Sequence, residues 1–322
     1  MDSTGLPYHR AARLGGGDRW WKPLIEGLLI VGLGLMVIAA TVLWTLAVAV
    51  VTRSGPEAGS ALFDRIGSSM DGPLASDPVG YAAVLLTVVV LLPLTVLARV
   101  AVGPAPLGLL SSVAGRLRWS WMLRCAVVAL VVYVVLVPIS VAVGHLTGHP
   151  VSPVDVEPGP VAAVLAITVL LVPLQAAAEE YAFRGYLAQA IGRWLAHPAF
   201  AVLLPVPLFV AGHEYGLVGQ TDVATFAIAA GWITYRTGGL EAAIALHVVN
   251  NVVAFGLETF LGPADETWVG LAGSLVTTTA FLLVVDRLAR SEGIATRTPT
   301  QSRDVVVPPV TRWWWPRGSV HR

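Results

Sequence analysis

Two glutamates, Glu179 and Glu180, stand side by side in AAAEEYAFRG at 176–185, directly after nineteen residues, Pro160 to Ala178, without a charge. Further along, His213 ends an apolar run that begins at Pro198, and HVVNN at 247–251 sets His247, Asn250 and Asn251 inside another. Carboxylate and imidazole groups are the usual instruments of proton transfer, and a carboxylate beside a histidine makes a workable general base at neutral pH. Spacing sorts them, because residues i and i+4 share a helix face. Glu180 with Arg184, Phe209 with His213, and His247 with Asn251 are so spaced. Glu179 and Glu180 lie about 100° apart around a helix. One therefore faces the site, while the other pairs with Arg184 or orients a neighbour.

The elements that position these groups follow from composition. The chain of 322 residues is 56% hydrophobic and 12% charged, with a mean hydropathy of +0.74. A soluble domain carries about 25% charged residues, and a large soluble core would still need polar cover. The expected class is all-α: a polytopic membrane helix bundle, in which helices satisfy their own backbone. Net charge is zero, so no nucleic-acid partner is expected; the partners are the lipid bilayer and whatever reaches the site within it. The one cysteine, Cys125, lies in an apolar run and reads as a small buried hydrophobe.

A span needs roughly 20 apolar residues. Uncharged runs at 27–51, 81–98, 125–144, 160–178 and 268–285 are clear candidates; 198–212, 223–235 and 242–257 are weaker and carry the polar groups. Eight spans with both termini cytoplasmic put eighteen of the twenty basic residues inside and leave Arg53 and Arg65 outside, as the positive-inside rule requires. The first run is too long for a signal-peptide core and reads as a retained span. The resulting division is a cytoplasmic segment 1–22, helices 1–3 with their loops at 23–158, a core of helices 4–7 at 159–262, helix 8 at 263–290, and a largely disordered cytoplasmic tail at 291–322. RWWK at 19–22 and RWWWPR at 312–317 place indoles beside basic groups, as interface anchors do.

Each polar cluster alone has a plainer reading. The glutamates could end a helix at water, His213 could be a satisfied buried histidine, and His247 with Asn251 could be interhelical hydrogen-bond glue. Together they are harder to dismiss, since ionisable groups at membrane depth cost several kcal/mol and face an interior or a cavity. A proton or ion relay in a small transporter would also use them, but no duplicated half of the span pattern is visible. HEYGL at 213–217 lacks the second histidine of a zinc-protease helix, with Leu217 in its place. HLTGH at 145–149 pairs His145 and His149 in an outer loop without a third ligand. Pro205 and Pro207 should break the helix leading to His213, and a water-accessible cavity opening mainly to the cytoplasm is expected beside it.

EEYAFRG at 179–185, FVAGH at 209–213 and HVVNN at 247–251 resemble, in order, the three motifs of the CPBP intramembrane proteases (the Abi family). That family includes CAAX-prenyl endopeptidases and bacteriocin-processing or self-immunity proteins. The resemblance covers about residues 160–260. It implies an intramembrane endopeptidase of a bacterial plasma membrane, acting on a membrane protein or peptide. Glu179 would activate a water, His213 would assist it, and His247 with Asn251 would stabilise the oxyanion. Glu180, Arg184, Phe209 and Asn250 would support the site. The family is often labelled metalloprotease, and Glu179, His213 and His247 could ligate zinc with a water in the fourth position. The same residues suit a metal-free glutamate protease. A non-proteolytic immunity factor or membrane scaffold on the same fold is the alternative.

Overall fold

The computed structural model describes residues 5–14, 19–52, 74–103, 106–155, 157–262 and 266–299. The outer-loop residues 53–73 and the tail 300–322, with its RWWWPR run, lie outside the described residues. Among the described residues there is no strand, and the fold is a helical membrane bundle. Its helices are α1 (Lys22–Thr52), α2 (Pro78–Val89), α3 (Leu91–Val102), α4 (Trp119–Leu146) and α5 (Pro158–Glu180). A π-helical turn, Tyr181–Leu187, continues α5 into α6 (Ala188–Trp194). Then come α7 (Pro198–Leu203), α8 (Val206–Ala211), α9 (Leu217–Thr237), α10 (Glu241–Leu261) and α11 (Trp268–Ser291).

All eight apolar segments are helical. Six helices are long and apolar enough to cross a membrane: 22–44, 78–102, 119–146, 158–194, 241–261 and 268–291. The chain is thus a multi-pass integral membrane protein. Of the weaker candidates, Pro198–Ala211 is short, and α9 is not among the six; it carries Gln220 and Asp222.

One expected boundary is corrected. The fourth span does not stop at Ala178 but runs 37 residues, from Pro158 to Trp194. Its later polar residues need no water, because Arg184 and Gln189 are buried in protein. Arg184, counted above with the cytoplasmic charges, belongs to the interior instead. At about 1.5 Å per residue the helix is about 55 Å long, well beyond the ~30 Å hydrocarbon layer. Its inner part is clothed by a 3₁₀ turn at Tyr8–Arg13 and by α3.

Stripes spaced by four residues build the main core. Trp121, Cys125, Ala129 and Tyr133 on α4 meet Phe281, Val285 and Ala289 on α11 and Ala242, Ala245 and Leu246 on α10. Small residues at these contacts let helices approach closely, the usual solution where lipid supplies no hydrophobic drive. Cys125 is fully buried there, a free thiol used as a small apolar filler. The opposite face of α4 shows Leu123, Val127 and Val131 to the lipid.

The end of the bundle that carries both described chain ends is tied by buried charge. Arg99 on α3 donates to Glu26 on α1 at 2.6 Å and to Gln189 on α6 at 3.1 Å. Arg118 holds Glu241 through Nε at 2.8 Å and Nη2 at 2.7 Å, and also donates to the carbonyls of Thr237 and Ala295. Pro7 pairs with Arg297, and Thr298 donates to the Leu6 carbonyl at 2.9 Å. Gly238 ends α9 with φ +68°, in the left-handed region that glycine enters at little cost.

Candidate active site

The chain turns back at residues 195–197 and brings His213 towards the region of Glu179. Fifteen residues separate Glu179 from Trp194, and fifteen separate Pro198 from His213. Arms of equal residue count leave the loop at 195–197, and Phe209, one turn before His213, lies 4.4 Å from the Arg184 guanidinium and 6.4 Å from the His247 ring. The first arm is continuous because α5 runs on through Tyr181–Leu187 into α6. The second arm breaks as its prolines dictate: α7 ends at Leu203 and α8 begins at Val206. The π-helical turn follows directly on Glu180, and such widened turns often mark functional sites.

His247 sits between the two carboxylates. Its Nδ1 is 2.9 Å from Glu180 Oε1, and its Nε2 is 3.4 Å from Glu179 Oε2. The glutamates diverge around their helix yet both reach this ring, because its two nitrogens point to opposite sides. Glu180 also accepts from Arg184 Nη1 at 2.9 Å, so it is the supported carboxylate that the spacing anticipated. Arg184 Nη2 donates to the Ala227 carbonyl of α9 at 3.1 Å, and its guanidinium lies 4.4 Å from the Phe209 ring centre. Glu180 is fully buried and Glu179 nearly so. Oε2 of each has no hydrogen-bond partner; the 3.4 Å approach to Glu179 is close but misaligned. Buried unpartnered acceptors are rare and mark places where a water or ligand group belongs.

His213 completes the aromatic wall rather than touching the glutamates. Its Nδ1 donates to the Phe209 carbonyl at 2.9 Å, and its ring lies 4.9 Å from that of Phe209. Phe209 in turn stands 6.4 Å from His247, so its ring neighbours both imidazoles. With Nδ1 donating, Nε2 of His213 is left as an acceptor. Asn251 donates to Gln175 Oε1 at 3.1 Å; Asn250 donates to Asn251 Oδ1 and accepts from Tyr133 at 2.9 Å.

Several partners were not anticipated from the sequence. Gln175 holds Asn251, Tyr133 holds Asn250, and Phe226 packs edge-on to His247 at 5.0 Å. Gln175 did leave a signal, as the only polar residue between Thr168 and Glu179 and one turn before the latter. Tyr133 and Phe226 look like ordinary span residues.

Two readings of the sequence can be set beside this geometry. Among the described residues, no three His, Cys, Asp or Glu side chains converge to hold a metal ion. Glu179 and His247 are neighbours, but the His213 ring is directed to Phe209 and stacks on Tyr215 at 6.2 Å. Glu179, His213 and His247 in this arrangement do not fit a zinc site. The expected route towards the end with both chain ends is also filled: Tyr8, Leu110, Val113, Tyr181, Leu240 and Ile244 pack together beyond Glu180. Tyr8 donates to the Leu110 carbonyl and Ser111 bonds Tyr181 at 2.6 Å. The exposed side is instead at Glu214–Leu217, beside half-buried His213.

The fold and site define a helical membrane protein with an acid–base cluster in its interior. Residues 159–253, which hold all three motifs, match the family described as Type II CAAX prenyl endopeptidase Rce1-like. This is the family type the motifs resemble. The uncharacterized protein YyaK of Bacillus subtilis (strain 168) is 35% identical over 96 residues, covering 28% of this chain and 32% of YyaK. The chain thus matches about a third of the length of that relative. No solved structure matches.

Proposed function

We propose that the protein is an intramembrane endopeptidase that hydrolyses a peptide bond of a membrane-associated protein or peptide. The observation that carries this reading is the buried, unpartnered Oε2 of Glu179 facing the imidazole of His247. The family match over residues 159–253 supports the reaction class.

In the proposed reaction, Glu179 takes a proton from a water whose oxygen attacks the scissile carbonyl carbon. Glu180 accepts from Nδ1 of His247 and fixes that ring; when Nε2 carries a proton it can donate to the developing oxyanion. Asn251, held by Gln175, is the second donor. Donors fixed in advance in a dry site are the largest common contribution to such steps. His213, with Nε2 free to accept, holds the water. Collapse of the tetrahedral intermediate breaks the C–N bond, and the proton on Glu179 passes to the leaving nitrogen. The end of the bundle carrying the chain ends is assigned to the cytoplasm, in agreement with the positive-inside count. A bacterial plasma membrane fits the Bacillus relative.

The test is cleavage of a membrane-associated peptide by full-length protein in lipid. Glu179→Gln should lower the rate by at least about 10³-fold with unfolding unchanged, within the range for loss of an activated nucleophile. Wild-type rate in that variant would refute the assignment. Elemental analysis of the active protein tests the metal-free form of the mechanism: stoichiometric zinc that is required for cleavage would replace it.

A further inference from the structure

A cavity of about 230 Å³ lies apart from the acid–base cluster, where the ends of α9 and α11 meet the segments at Pro7 and Thr296–Arg297. Its walls include Pro7, Tyr235, Arg236, Asp286, Arg290 and Arg297. Asp286 Oδ1 accepts from Arg236, and Oδ2 from Arg290, each at 2.8 Å. Arg297 donates to the Gly5 carbonyl at 3.0 Å. Three guanidinium groups against one carboxylate leave a net charge of +2 in the cavity. The Arg290 side chain is 62% exposed and that of Arg236 35%, so the cavity is open to an incoming group.

Its depth is fixed by neighbours. Trp119 at the start of α4, Trp194 at the end of α6 and Trp20 before α1 expose their indoles at this same end of the bundle. Exposed tryptophans mark the headgroup level. Arg118, one residue before α4, donates to the Ala295 carbonyl, next to the cavity residues Ile294 and Thr296. The cavity therefore opens at headgroup depth.

We propose that this cavity binds a phosphate-bearing anion, with an anionic phospholipid headgroup as the membrane's own source. Guanidinium forks match phosphate oxygens in pairs, and basic pockets at the ends of membrane helices suit anionic headgroups. Arg236 and Arg290 are held in position by a shared carboxylate, so little side-chain order is lost on binding. A headgroup seated there would bridge α9, α11 and both chain segments. It lies outside the proposed catalytic cluster, and its occupancy does not depend on the protease reading.

The test uses delipidated full-length protein in a nonionic detergent, titrated separately with phosphatidylglycerol, phosphatidylcholine and inorganic phosphate. Retained lipid is read by native mass spectrometry and the thermal midpoint is read in parallel. Phosphatidylglycerol should bind and raise the midpoint, and phosphatidylcholine should do so far less. Arg290→Gln and Arg297→Gln should each weaken binding about fivefold. Asp286→Asn, which removes the one carboxylate among the described lining residues and keeps an oxygen that can accept from Arg236, should tighten it. A response to inorganic phosphate alone, lost in the arginine variants, would support phosphate chemistry with a soluble source. Equal binding of phosphatidylglycerol by wild type and the folded arginine variants, or no response to either anion, would overturn the proposal.

Discussion

Arg184→Met is the substitution that most directly probes the buried charge at the site. Glu180 exposes 0% of its side chain and Arg184 4%. Glu180 Oε1 accepts from Arg184 at 2.9 Å and from His247 at 2.9 Å, while Oε2 has no partner. Removing the guanidinium leaves a carboxylate away from water with one hydrogen bond. Breaking a buried pair from one side costs about 3–5 kcal/mol, and the lost stacking on Phe209 is part of that, at about 1–2 kcal/mol. Glu180→Gln should cost a similar amount: its amide oxygen can still accept, but the buried guanidinium loses the charge of its Glu180 partner. The double variant Glu180→Gln/Arg184→Met should recover most of the loss, because its amide oxygen still accepts from His247 and no bare charge remains. A coupling of about 2 kcal/mol or more is expected from the cycle. The assay is denaturant unfolding in detergent, read by tryptophan fluorescence for the four proteins. The reasoning fails if Arg184→Met costs under about 1 kcal/mol, or if the double variant shows the sum of the two single losses.

Three further outcomes follow from particular contacts. Gln175→Ala frees Asn251 and should lower kcat about tenfold with KM little changed, as expected for a misaimed oxyanion donor; Gln175→Glu, which keeps the accepting oxygen, should retain most activity, and equal rates in both variants would sever Gln175 from the site. Gly238→Ala forces a side chain into the left-handed region and sets its Cβ 2.7 Å from the Ala295 carbonyl, so unfolding stability should fall by about 1–2 kcal/mol; an unchanged midpoint would contradict this turn. Burial pushes the His9 ring below the usual histidine range, partly offset by its hydrogen bond to the Ala196 carbonyl. The docked segment therefore takes up a proton less readily than the free one, and its docking is complete above about pH 6.5 and weakens as pH falls below it. Protection factors across residues 5–14, with the intrinsic pH dependence of amide exchange divided out, should fall on acidification and become insensitive to pH in His9→Phe; pH-independent protection in the wild type would exclude the effect.

How much of this was legible in the sequence depended on the range of the interaction. The i,i+4 rule found Glu180 with Arg184 because a helix puts those residues together without help from the rest of the chain. Pro205 and Pro207 announced the break between α7 and α8 for an equally local reason. The end of the fourth span was misplaced because hydropathy measures contact with lipid, and Arg184 and Gln189 are polar groups buried in protein. The apposition of His247 with both glutamates spans 67 residues for Glu180 and has no local signature; the conjunction of polar groups at membrane depth and the motif resemblance pointed to a shared site, and neither gave the pairing.

The closed side of the site shows the same limit most sharply. Tyr8 precedes every apolar run, in a segment that reads as a short cytoplasmic leader. Nothing local shows that its hydroxyl will reach the Leu110 carbonyl, 102 residues away. Gly192 gives part of the physical reason the segment can seat: a Cβ there would lie 1.9 Å from the His9 carbonyl oxygen, so only glycine lets the 3₁₀ turn approach α6. With that turn in place, Tyr8, Leu110, Tyr181 and Ile244 form an apolar layer between Glu180 and the near end of the bundle. Such a layer excludes water from one side of the carboxylate pair, which strengthens every charge interaction within it. It also leaves the half-buried His213 side, rather than the side closed by Tyr8, as the direction from which the substrate of the proposed reaction would approach Glu179.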